Sequence, residues 1–123
     1  NIDWKETLGA EWRQYEDFFP ALNKSKVRQV SLECAHSHVP LSLIGLLPDK
    51  DVLVGAIDVA SMEIETPQEV AATLRAALDF VDAERMVACT NCGLAPLPMD
   101  VAEGKLKALG AGAALLRKEL GSA

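Results

Sequence analysis

The chain reads as an α/β fold, the C-terminal part of a TIM-like (β/α)8 barrel with about three parallel βα units behind a leading helix. Three observations predict it. Short apolar runs alternate with segments of helical periodicity, the order that parallel strands with right-handed crossovers require. Residues 51–59 (DVLVGAIDV) are nearly all apolar, as in a strand covered on both faces. Half of the residues are hydrophobic yet aromatics make up only 5%, so the core rests on Ala, Val, Leu and Ile, which suits helices on a buried sheet. A complete barrel of this kind needs about 250 residues. With 123, residues 1–123 are expected to form a single partial domain. A small free-standing three-layer α/β domain is the alternative.

The elements follow in order. Residues 11–22 place Trp12, Tyr15, Phe18, Phe19 and Leu22 on one aromatic face of a helix, and Pro20 is expected to end it near Phe19. Trp4, Trp12 and the Phe pair are read as core or interface. Lys24, Lys26 and Arg28 form a basic connection into a strand over residues 27–33. Residues 39–47 make a short apolar helix or turn before the strand over 51–59. Thr66 as N-cap, Pro67 at the first helical position and Glu69 as the partner of a capping box then open a helix reaching about residue 81. Residues 86–89 form a third strand. A final helix over 99–120 turns Val101, Leu106, Leu109, Ala113 and Leu116 to the core.

Charge and composition narrow the function classes. A net charge of −6 gives no general attraction to nucleic acid or to an anionic membrane. No apolar run approaches the roughly 20 residues of a membrane span. Three cysteines without framework spacing, and no visible signal peptide, predict a reducing, cytoplasmic setting. There is no glycine-rich phosphate loop and no Ser-His-Asp order.

Parallel strands direct their C-terminal ends to one rim, where α/β folds place their active sites. Glu33 ends the first strand, Asp58 lies near the end of the second, and Cys92 lies just past the third. A carboxylate and a thiolate meeting on one rim suit Zn2+, which accepts both donors. The plainer reading of Glu33 is a solvated or salt-bridged strand end. Asp58 either shapes the loop after it or contacts an amino-acid substrate. Cys89-x-x-Cys92 precedes a loop rather than a helix, which argues against a thioredoxin-like pair, and Cys89 reads as a small buried hydrophobe. A self-contained zinc site from His36, His38, Cys89 and Cys92 is a further possibility.

Taken together, VSLECAHSH, VLVGAIDVASMEIETPQEVAATLRAAL, ERMVACTNCGLAPLP and DVAEGKLKALGAGAALLRKEL resemble the C-terminal catalytic domain of the cobalamin-independent methionine synthases and their shorter relatives, over residues 15–120. The resemblance implies a TIM-like barrel, methionine biosynthesis, and methyl transfer from 5-methyltetrahydrofolate to homocysteine, whose thiol a zinc ion holds as thiolate. The family's zinc set is a His and a Cys from a His-x-Cys motif, a later Glu and the Cys of x-C-G-L. Glu33 and Cys92 match the last two. The His-x-Cys has no counterpart here, and the resemblance implies that it lies upstream of Asn1, so the chain is expected to be a fragment, inactive alone. At Ala60 the methionine synthases proper commonly carry a proton-donating His, which leaves the methyl donor open. A non-catalytic α/β module that self-associates through its open sheet edges is the competing expectation.

Overall fold

A computed structural model describes residues 15–37 and 39–121. Helix α1 (Tyr15–Lys24) precedes strand β1 (Gln29–Glu33), a 3-10 segment (Leu41–Leu46) and strand β2 (Asp51–Ile57). Helix α2 (Pro67–Ala77), a short 3-10 turn (Ala83–Arg85), strand β3 (Met86–Thr90) and helix α3 (Met99–Glu119) complete the order. The strands form one parallel sheet in the order β1-β2-β3. This is the expected set of three βα units behind a helix, in an α/β fold that forms part of a TIM-like barrel.

Several boundaries differ from expectation for identifiable reasons. Pro20 lies inside α1 rather than ending it. Its ring forfeits one backbone bond, but Phe19 is buried and Tyr15 and Leu22 pack on the core, which holds the helix on past the proline. Trp4 and Trp12 lie outside the described residues, as does the start of the aromatic face. Phe18 is exposed. Helix α2 opens as read: Thr66 Oγ1 accepts from the Glu69 N–H at 3.2 Å, and Glu69 Oε2 accepts from the Thr66 N–H at 2.7 Å. It stops at Ala77, and a turn carries Leu78 and Val81 onto the core.

Helix α3 turns part of the expected face to the core, with Leu116 buried and Leu109 and Ala113 packed against it, but it also buries residues its apolar pattern did not mark. Lys105, Ala108, Gly112 and Leu116 are buried, whereas Leu106 is 52% exposed. Gly112 is one of these, and its place is set by a close approach. A Cβ there would lie 2.5 Å from Val70 Cβ and 2.8 Å from the Pro67 carbonyl oxygen, so the glycine lets α3 close on α2.

Side chains alternate between the two faces of the sheet. One face aligns Val30, Val52 and Met86, then Leu32, Val54 and Ala88; Val70, Leu74 and Leu116 from α2 and α3 join that core. The other aligns Ser31, Leu53 and Val87, then Glu33, Gly55 and Cys89. Ser31, Glu33 and Val87 are exposed and Leu53 is half-buried. The expected burial of β2 on both faces therefore holds for its C-terminal half only. The open face is the one a closed barrel turns inward.

Candidate functional site

Because the strands are parallel, Glu33, Asp58 and Cys92 all fall at the C-terminal rim. Glu33 closes β1 on the open face. Its carboxylate is exposed and makes no hydrogen bond or ion pair with another described residue, so the salt bridge considered for it is absent. Cys92 follows β3 and is an exposed free thiol. Its backbone is held in a tight turn, because the Thr90 hydroxyl donates to the Cys92 carbonyl at 2.7 Å.

Asp58 shapes its own loop: its Oδ1 accepts from the Ala60 N–H at 2.8 Å. The same residue lines a cleft of about 670 Å3, with His36, Ser61, Glu63 and Thr73 among its walls. The loop is fixed from below by a buried ion pair. Glu65 Oε1 accepts from the Asp58 N–H at 2.9 Å, and both Glu65 oxygens receive Lys105 Nζ, at 3.1 and 3.0 Å. Lys105 also donates to the Glu63 carbonyl and is fully buried. Gly104 gives Ile64 the room to pack there, since a Cβ would fall 2.5 Å from Ile64 Cδ1.

The three thiols differ. Burial pushes Cys34 up from 9.0 to about 11; its hydrogen bond with Gly55 opposes this and the nearby Cys89 adds to it. Burial also raises Cys89, against an easing contact with the Ser31 hydroxyl at 3.9 Å. Both stay protonated near neutral pH. Cys89 is half-buried on the open face, across Gly55 from Glu33, not enclosed in the core as its sequence context suggested. Glu69 is lowered from 4.5, first by the Thr66 backbone bond and then by the Thr66 hydroxyl, with His36 contributing least.

Among the described residues, no group of three or more His, Cys, Asp or Glu side chains is gathered to hold a metal. His36, Cys89 and Cys92 therefore do not form the local site considered above, and His38 lies outside the described residues. Glu33 and Cys92 are an oxygen and a sulfur donor on one rim, types that zinc accepts. Among the described residues no helix is long and apolar enough to cross a membrane.

Sequence reasoning missed Asn91, Gly55, Glu65 and Lys105. The Asn91 side chain reaches the tip of β1: Oδ1 accepts from the Cys34 and Ala35 N–H groups at 3.2 and 3.3 Å, and Nδ2 donates to the Ala35 carbonyl at 2.8 Å. A glycine in the middle of an apolar strand was the available signal for a close approach there. Lys105 had a signal too, since it shares the spacing of the small residues at 108 and 112.

Three comparisons bear on this geometry. Residues 12–114 match the family model described as the catalytic domain of cobalamin-independent synthase. A methionine synthase from Sulfurisphaera tokodaii is 33% identical over 120 residues, covering 97% of this chain and 35% of that protein. One from Sulfolobus acidocaldarius is 32% identical with the same coverage. A B12-independent methionine synthase from Shewanella sp. W3-18-1, solved in complex with selenomethionine, superposes with a TM-score of 0.88 at 60% identity, over 96% of this chain and 35% of that one. The chain thus spans about a third of the length of the relatives it matches.

Proposed function

The chain belongs to the cobalamin-independent methionine synthase family, a methyltransferase family, and from that premise we propose that it is the part of a zinc-dependent catalytic domain that supplies Glu33 and Cys92 as metal ligands. The observation that carries the reading is the state of those two groups: a carboxylate and a thiol, both exposed and unengaged, on the same rim. The acceptor is homocysteine and the product methionine. The Shewanella relative, solved with selenomethionine, supports an amino-acid site of that shape. When bound, zinc keeps the acceptor sulfur as a thiolate, the form that attacks a methyl group, whereas a free thiol of pKa about 8.5 is mostly protonated at neutral pH.

The chain's own residues divide the remaining work. Glu33 and Cys92 present donors from non-neighbouring strands. Asp58, with one oxygen committed to the Ala60 N–H, keeps its second oxygen for the ammonium group of the acceptor. Lys105 and Glu65 hold that loop. Ala60 has no proton to give, so protonation of the departing donor falls to another group. The donor is of the methyltetrahydrofolate class, and the setting is cytoplasmic.

Two ligands do not complete a catalytic zinc site, which normally has three protein ligands and an open position. The chain alone is therefore inactive, and the remaining ligands come from outside the described residues. Assaying homocysteine methylation together with metal content tests this. The expected result is no turnover by the chain alone; turnover with stoichiometric zinc held by Glu33 and Cys92 would contradict it.

A second reading rests on the open face and on the two sheet edges that no other described strand covers. Val87 is 44% exposed there and Leu53 half-buried, so the isolated chain pairs with a second copy of itself. Light scattering checks it: a monomer at every concentration tested rules this pairing out.

A further inference from the structure

We propose that Asn91 is a positioning residue that sets the separation between Glu33 and Cys92. The inference rests on the metal-ligand reading of that pair but concerns a residue outside it. Strands β1 and β3 are not neighbours; β2 lies between them, so their tips are about 10 Å apart at the usual strand spacing and share no ladder. Asn91 spans that gap. It stands immediately before Cys92, and the groups it binds belong to the two residues immediately after Glu33. Its backbone N–H is anchored on the middle strand, donating to the Ile57 carbonyl at 2.9 Å. One residue therefore ties all three strand ends together.

Gly55 makes the crossing possible. A Cβ on Gly55 would lie 2.5 Å from Asn91 Oδ1 and 3.0 Å from Asn91 Cα, so any side chain at this position would expel the asparagine. The Cys34 and Ala35 N–H groups are each shared between Asn91 Oδ1 and the Gly55 carbonyl, at 3.1 and 2.8 Å from the latter. They keep a partner when Asn91 is removed. The Ala35 carbonyl loses the Asn91 amide donor. Removing Asn91 thus frees the two tips from one another more than it exposes unpaired backbone.

The test measures the separation directly and without metal. In the chain carrying Glu33→Cys with Cys34→Ala and Cys89→Ala, the only two thiols are those at position 33 and Cys92. A short bis-alkylating thiol reagent is added and intramolecular crosslinking followed by intact mass. Crosslinking is expected to slow about fivefold on adding Asn91→Ala, or the milder Asn91→Ser, the bias that one net hydrogen bond supplies. Arg85→Ala, which weakens the opposite end of the sheet, should leave the rate unchanged. Equal rates with and without Asn91, an equal slowing by Arg85→Ala, or no crosslink in any variant would overturn the proposal. A parallel Co2+ titration of the chain with Glu33 and all three cysteines intact separates the two claims. If no cobalt–thiolate absorption develops while the crosslinking difference stands, the metal reading fails and the positioning role of Asn91 holds.

Discussion

The two ends of the sheet hold polar side chains in opposite states. At the N-terminal end several are engaged with the backbone or with each other. Lys50 is buried and donates to the Ser25 carbonyl at 2.7 Å, Arg85 donates to the Lys50 and Leu47 carbonyls at 2.7 and 3.3 Å, and Asn23 and Asp49 bond each other through side chain and backbone. At the C-terminal end, Glu33 and Cys92 are exposed with no partner for carboxylate or thiol among the described residues. The lesson concerns division of labour. Groups at one end close backbone carbonyls and hold the layers together; groups at the other are left free by scaffolding such as Asn91, Thr90 and the Lys105–Glu65 pair.

Substitutions at the two ends sharpen this contrast. The largest loss of stability is expected inside the C-terminal scaffolding itself: Lys105→Ala leaves Glu65 buried without its cation and should cost about 3–5 kcal/mol in urea unfolding. A wild-type midpoint for that variant would show the pair to be incidental. Arg85→Ala takes its donor from the Lys50 carbonyl, while the Leu47 carbonyl keeps the Lys50 N–H, and should cost about 1–3 kcal/mol. Thr66→Ala removes the cap of α2 and should cost about 1 kcal/mol. Smallest of all, Glu33→Gln and Cys92→Ser should each stay within about 0.5 kcal/mol of the parent, as for surface positions. A large loss from either would mean that the rim is structural after all.

The thiols add a pH test of the same contrast. Cys34 has a folded pKa raised from 9.0 to about 11, so the folded state holds its proton more tightly than the unfolded chain. Stability from this source is fully present below pH 9 and is lost as pH rises toward 11. Cys34→Ala should remove that alkaline decline, measured as the urea midpoint against pH.

Much of this was legible in the sequence because the signals were local. The capping box at Thr66 and Glu69, the apolar run of β2 and the order of elements each depend on neighbours along the chain. The rim residues were legible for a related reason: strand ends in a parallel sheet converge whatever the details. What escaped depended on contacts distant in sequence. Asn91 is distinguished by a bond to residues 34 and 35, and Lys105 by a carboxylate forty positions away. Along α3, Leu109, Ala113 and Leu116 meet the core as read and Leu106 does not, because Gly112 sets the close approach to α2 and Glu65 draws Lys105 inward. Cys89 was placed in the core because the sheet was expected to be covered on both sides.

The proposed metal-binding thiol is Cys92 and not its neighbour Cys89, and cobalt reports on the choice. Co2+ is titrated into the chain, Cys89→Ala and Cys92→Ala, with the cobalt–thiolate charge-transfer band as readout. The expected result is a weak one-thiolate band that survives Cys89→Ala and vanishes in Cys92→Ala. A band that persists in Cys92→Ala and disappears in Cys89→Ala would contradict it.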